Sequence, residues 1–221
     1  MIKYTLLLLL FSLSAISQTY EFDYVLEYSS EGKDENQKPY RASDYLFINT
    51  KDNSNMLVVN VNPNKVIMRL FTDANKYYMG TIANQDFFVE AISIKCPFTG
   101  DTHKYMQSRE NKDYYPVAKK DTVINTQPYA QFSLKADNKK KRKDNELYTQ
   151  HYIMDNSLKL PAPALQPGGL GYKFWKKGQQ IPNGIMKQRY AEDASGIIVS
   201  TTTLIQAISV KKIIIIDKNC K

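Results

Sequence analysis

The stretch from Met56 to Cys96 constrains this chain most. Runs rich in β-branched and aromatic residues, Met56 to Val61, Val66 to Phe71, Lys76 to Ala83 and Phe87 to Ile94, alternate with Asn62-Pro63-Asn64, Thr72 to Asn75 and Asn84 to Asp86. Branched and aromatic side chains fit a pleated, half-buried surface. Asn, Asp and Pro tolerate or pre-set turn dihedrals. The pattern predicts four short strands in a row, an antiparallel meander.

Thr19 to Ser29 carries the cleanest period-two alternation. Tyr20, Phe22, Tyr24, Leu26 and Tyr28 share one face, and Glu21, Asp23, Glu27 and Ser29 the other, with only Val25 out of pattern. Such alternation predicts a strand with one wet face. Its aromatic face would supply much of a core, at ~25 cal/mol per Å² of apolar area buried. Tyr45 to Ile48 reads as a second strand. Pro97 to Pro116 is polar and reads as an irregular connection, with a turn of helix or a short strand near Tyr105. Thr122 to Ile124 leads into a strand over Gln131 to Lys135. Leu147 to Met154 is the next strand, and Asp137 to Asp144 between them reads as an exposed hairpin tip. Ile185 to Ala191 and Ile197 to Ser209 form a last hairpin, and Val210 to Ile216 a closing strand. Four consecutive isoleucines, Ile213 to Ile216, must be paired or covered to avoid aggregation.

Residues 1–18 read as a secretory signal peptide: Lys3, then the apolar run Leu6 to Phe11, then Ser12, Ser14, Ala15 and Ser17. The apolar run falls well short of the ~20 residues of a membrane span. The competing reading of this run is a buried N-terminal strand. No cysteine stands at the cleavage site, so lipid attachment there is not expected. The chain is then expected to be exported to the periplasm or beyond the cell. Residues 19–221 suit a single β domain. Cys96 and Cys220 are the two cysteines. In an oxidising compartment an even count fits a bridge between them, or else two reduced thiols. The net charge of +8 permits anionic partners without demanding them.

One long excursion, Leu160 to Gly184, interrupts the strands. Pro161, Pro163, Pro167, Gly168, Gly169 and Gly171 forbid regular structure at its start. Tyr172 to Lys177 could form one helical turn capped by Gly178. Phe174 and Trp175, the latter the only Trp, are the candidates here for a ligand contact or a plug.

Signals for catalysis are weak. His103 and His151 stand in no metal-binding spacing, and there is no CxxC and no G-x-S-x-G elbow. Gly168 to Gly171 lacks the GK[ST] of a phosphate loop. Glu90, Glu192 and Asp193 read as solvated strand and turn residues rather than acid–base groups. Nothing calls for a cofactor or a metal. The basic run Lys139, Lys140, Lys141, Arg142 and Lys143 reads as a solvated tip, with polyanion contact as its functional alternative. Export disfavours a nucleic-acid partner.

The order of elements resembles uncharacterised secreted domains of Bacteroidetes and, in layout, the LolA-like lipoprotein-carrier half-barrels. The resemblance rests on an aromatic first strand, a meander, the entry Thr122 to Tyr129, a hairpin, the Pro/Gly excursion with Trp175 and a final hairpin. It implies a curved antiparallel sheet wrapped around short helices, with an apolar concavity that holds acyl chains. Little of this chain has a helical period.

The resulting expectation is a mostly β fold: one antiparallel curved sheet or half-barrel with a long loop or short helix on its concave face. The alternatives are a closed barrel or a β-sandwich. The leading function is non-catalytic binding of a lipid or other amphiphile. Tyr20, Phe22, Tyr24 and Leu26 would line the concavity, under Phe174 and Trp175 as a lid. An envelope structural or protein-interaction module comes second, and a hydrolase on a β scaffold third.

Overall fold

A computed structural model describes residues 17–33, 38–95, 97–102, 113–144 and 147–217. Its strands are β1 (Gln18–Lys33), β2 (Pro39–Ile48), β3 (Met56–Asn62), β4 (Lys65–Phe71), β5 (Lys76–Ile82), β6 (Ala91–Lys95), β7 (Phe98–Asp101), β8 (Tyr114–Ile124), β9 (Gln127–Ala136), β10 (Thr149–Asp155), β11 (Ile185–Glu192) and β12 (Ile198–Asp217). Among the described residues two short helices interrupt them, α1 (Lys139–Lys143) and α2 (Leu170–Lys176). All twelve strands join one sheet, in the order β7-β5-β4-β3-β2-β1-β12-β11-β10-β9-β8, with β6 beside β12. The sheet is open rather than a barrel, and it is antiparallel except for the β6–β12 pair.

The meander forms as the turn chemistry dictates. Asn62 pairs with Lys65, so Pro63 and Asn64 make a two-residue loop. Asn75, at φ 57°, supplies the left-handed residue of the next turn, a conformation Asn tolerates. The fourth run departs from expectation. Phe87 and Phe88 end a 3-10 turn, Asn84–Phe88, and the second half of the run, β6, leaves the meander to pair parallel with the end of β12. The antiparallel place beside β5 goes to β7 instead. Lys212 explains part of this. Its ammonium donates to the carbonyls of Phe87 (2.5 Å) and Val89 (2.6 Å) and lies over the Phe87 ring, tying the turn to β12.

β12 runs on through the segment expected to be a separate closing strand. One of its edges follows β1, while the other pairs first with β11 and then with β6. The four isoleucines are therefore paired on both edges, and Ile214 and Ile216 are fully buried. Residues 114–136, read as a connection followed by a strand, are a hairpin of β8 and β9. Asn125 (φ 49°) and Thr126 (φ 69°) form its two-residue turn. Consecutive positive φ values match the twist of the flanking strands. The basic run is not a bare hairpin tip but the helical turn α1. The Asn138 side chain caps it by accepting from the Lys141 amide, Lys141 pairs with Asp113 at 2.8 Å, and Arg142 donates to the Asp193 carbonyl at 3.4 Å.

The described residues form two hydrophobic cores. The first lies on the cavity-bearing face and gathers Leu26, Tyr28, Ile48, Met56, Phe132, Leu134, Tyr152 and Met154 under Leu160, Ala164 and Ile181 of the long excursion. The second packs strand on strand. Leu57, Val59, Val66, Met68, Leu70 and Tyr78 of β3 to β5 meet Phe22, Ile92, Ile94, Ile214 and Ile216. There β5 approaches β6 so closely that a Cβ on Gly80 would stand 2.7 Å from Ile94 Cγ2.

β1 serves both cores. The single aromatic face read from its alternation is divided at a register shift against β12 between Phe22 and Tyr24. Such irregularities add local twist. Tyr20 and Phe22 pack with the second core, and Tyr24 and Leu26 with the first. The expected leader, residues 1–18, lies outside the described residues except for its last two. Cys96, Cys220 and His103 also lie outside them. The described segments that precede the cysteines do meet, because Lys95 pairs with Asp217.

Candidate ligand cavity

A cavity of about 490 Å³ opens between the sheet face of the first core and the excursion that covers it. Its floor is laid out in transverse rows, because paired residues on neighbouring strands point to the same face. Leu26, Leu46 and Val58 stand in one row across β1, β2 and β3, with Met56 beyond them. Leu46, Val58 and Met56 line the cavity. One step along the strands the side chains become polar. Tyr28 pairs with Asp44, and Asn60 stands beside them. A further step brings Ser30, Thr202, Arg189 and Tyr152 into register across β1, β12, β11 and β10. The floor thus runs from apolar to polar along the strand direction.

Hydrogen bonds hold the polar end in place. Arg189 Nη2 donates to Thr202 Oγ1 at 3.3 Å, and that hydroxyl meets Ser30 Oγ at 3.0 Å. Asn60 Nδ2 donates to Asp44 Oδ1, while Asn60 Oδ1 accepts from Arg69 Nη1. The Tyr28 hydroxyl donates to the Met186 carbonyl at 2.9 Å, and Tyr152 donates to Gln150 Oε1 at 2.6 Å. Burial pushes the Asp44 carboxyl up, against the pull of Arg189, Asn60 and Arg69. Burial likewise raises Tyr28 and Tyr152, and Arg189 opposes the shift in both.

The cover consists of residues 164–166, Gly168, Gly169 and the first turn of α2, which present Leu165, Leu170 and Lys173 to the cavity. Gly168 is left-handed (φ 77°), and a Cβ there would stand 2.3 Å from Thr102 Cγ2. The cover is tied down at several points. Asn53 Nδ2 donates to the Ala162 carbonyl at 2.8 Å, Ala164 N to the Gly184 carbonyl at 2.8 Å, and the Tyr172 hydroxyl to Asp73 Oδ1 at 3.0 Å. Gly178, at φ 75°, ends α2, where the sequence placed the stop. Lys173 is lowered by burial and by Lys177.

None of the six residues singled out from the sequence lines this cavity. Tyr24 and Leu26 belong to the packed part of the same core, and Tyr20 and Phe22 to the other core. Phe174 and Trp175 pack on the first core from α2, and Trp175 Nε1 donates to Asn183 Oδ1 at 3.1 Å. Period-two alternation pointed to the right strand but could not show where the cover leaves a gap. Arg189, Thr202, Ser30, Asp44 and Asn60 were missed. They lie far apart in sequence and only pairing brings them together.

On the opposite face of β9 to β11 is a second polar cluster. Ser133 Oγ and His151 Nδ1 share a hydrogen bond at 2.9 Å, His151 Nε2 lies 3.3 Å from Glu192 Oε2, and the His151 ring stacks on Tyr190. The composition is that of a hydrolase triad. However, Ser133 is fully buried and cannot present its oxygen to an external carbonyl. Burial, with Lys119, lowers the His151 pKa. No group of three or more metal-ligating side chains occurs among the described residues. No helix among them is long and apolar enough to cross a membrane.

Comparison with known proteins returns distant structural likenesses. The MucA/MucB complex of Pseudomonas aeruginosa matches at 7% identity and TM-score 0.42, over 87% of this chain and 52% of that one. An uncharacterised conserved protein from Thermus thermophilus matches at 4% identity and TM-score 0.40, over 84% and 78%. A LolA superfamily protein from Nitrosomonas europaea matches at 10% identity and TM-score 0.29, over 84% and 85%. This chain spans about half the length of the chain it matches in that complex. At such identities and scores the likenesses support no functional argument. No protein-family model and no curated protein matches the chain.

Proposed function

We propose that this is an exported, non-catalytic protein that binds an amphiphile in the cavity beneath its loop-and-helix cover. The observation that carries the reading is the graded floor. Leu46, Val58 and Met56 suit a hydrocarbon chain, and Ser30, Asn60, Thr202 and Arg189 suit a polar head. A cavity of about 490 Å³ falls within the range of small-ligand sites. Tyr24 and Leu26 form the packed base beside the cavity, and Phe174 and Trp175 anchor the cover that closes over it.

Native mass spectrometry on protein purified from its own envelope, followed by organic extraction, tests this. The expected result is a co-purifying amphiphile that is lost in Val58→Trp, which fills the floor. A clean apo mass, with no change in Trp175 fluorescence or melting temperature on adding amphiphiles, would overturn it.

The second reading, an envelope interaction module without a small ligand, has one observation in its favour. Ile197, Ile198, Ile205 and Ile208 are exposed on and beside β12. Retained partner binding in Val58→Trp, with no ligand found in the wild type, would support it.

A further inference from the structure

We infer that the polar end of the cavity takes an anionic head group, with Arg189 as its cationic partner. This deepens the amphiphile reading and rests on it. A guanidinium offers five N–H donors in a planar fork, a shape that matches carboxylate and phosphate oxygens. Arg189 uses part of that capacity on Thr202, its neighbour in the row. Among the described residues no ion pair includes Arg189. The carboxylate of the cavity, Asp44, feels the charge of Arg189 but makes no ion pair with it, and is engaged by Asn60, which in turn is held by Arg69.

The remaining charge on the lining is Lys173, presented by the cover. The lining therefore carries two cations, Arg189 and Lys173, against one carboxylate. Arg189 is solvent-exposed, which puts it on the open side of the site. Thr202 is buried, so its hydroxyl is a fixed support for the guanidinium rather than a surface group. A cationic head would meet two like charges here, and a hydrocarbon without a head would leave the Ser30–Thr202–Arg189 row unused. An anion gains charge-assisted hydrogen bonds at one end while its chain lies on Leu46, Val58 and Leu165.

Binding of dodecanoate, dodecyl phosphate and dodecanol, each below its micelle concentration, tests the inference on wild type, Arg189→Gln and Thr202→Val. The wild type is expected to bind the two anions about tenfold or more tighter than dodecanol, the range of a charge-assisted hydrogen bond. Arg189→Gln is expected to lose that preference and to bind the anions no tighter than dodecanol. Thr202→Val, which frees the guanidinium, is expected to lose part of it. Tighter binding of the phosphate than of the carboxylate would point to a phospholipid-type head, and the reverse to a free fatty acid. Either order supports an anionic site. Equal affinity for anions and dodecanol in the wild type would overturn the inference and leave the amphiphile reading standing. So would a preference that survives in Arg189→Gln. Failure of all three probes to bind the wild type would overturn both.

Discussion

The two cores of this protein are built from similar residues and end differently. In the second core, strands cover strands, and the side chains of β3 to β5 interlock with those of β1, β6 and β12. In the first, a Pro/Gly-rich excursion and a short helix cover the sheet, and the cavity lies between them. Strands present side chains at a regular spacing that another layer of strands can match. A loop rich in proline and glycine cannot do so along its whole length. Here it lays Gly168, Gly169 and Gly171 over the sheet, where they line the cavity. The cavity therefore follows from the kind of cover, not from a shortage of apolar residues beneath it.

The sharpest way to break this comparison is to truncate one apolar side chain in each region. Leu70→Ala, in the second core, is expected to cost about 2–5 kcal/mol of stability, because the tight surroundings cannot collapse onto the gap. Leu165→Ala, on the cover, is expected to cost much less while weakening amphiphile binding. Chemical denaturation and ligand titration of both variants check this. Equal stability losses would mean that the cover is as tightly packed as the strand layer.

A smaller effect is expected at Gly168. Ala there meets both a left-handed backbone and Thr102, for a loss of about 1–2 kcal/mol. Lifting the cover in this way should also raise the proteolytic sensitivity of residues 160–184 and leave the second core unchanged. Limited proteolysis with mass mapping reads it out.

The smallest effect concerns pH and lies outside both cores, in the Ser133–His151–Glu192 cluster. Burial lowers the His151 pKa in the fold, so the unfolded chain binds the proton more readily. This contribution to stability is fully present above the unfolded value, about 6.5. It is lost as pH falls from there through the lowered folded value. Melting temperatures of the wild type are expected to fall across that window, and those of His151→Gln to fall less. Parallel curves would place the acid sensitivity elsewhere.

Much of the fold was legible in the sequence. Three strands of the meander, the first strand and the helical turn ending at Gly178 all follow from local alternation and turn residues. What failed did so for definable reasons. The Asn125-Thr126 turn lacks the glycine that marks most two-residue hairpins, so β8 was not recognised as its partner strand. The run Phe87 to Ile94 is as apolar as a meander strand. Its break into a turn and β6 depends on Lys212, more than a hundred residues later. The five basic residues of α1 read as a solvated tip because neither Asp113 nor the Asp193 carbonyl is near them in sequence.

By itself the sequence determined that the chain would be mostly antiparallel β, that the start of the excursion Leu160 to Gly184 would be irregular ahead of a helical turn, and that the isoleucine run needed covering. These are properties of residues and near neighbours: side-chain shape, backbone dihedral preference and period-two alternation. Only the tertiary structure decided that Tyr20 and Phe22 would face a different core from Tyr24 and Leu26. It also decided that the excursion would leave a gap, and that Ser30, Arg189 and Thr202 would stand in one row. Those outcomes depend on strand register, and register is set by pairings between segments far apart in the chain, such as Ser30 with Thr202, 172 residues away.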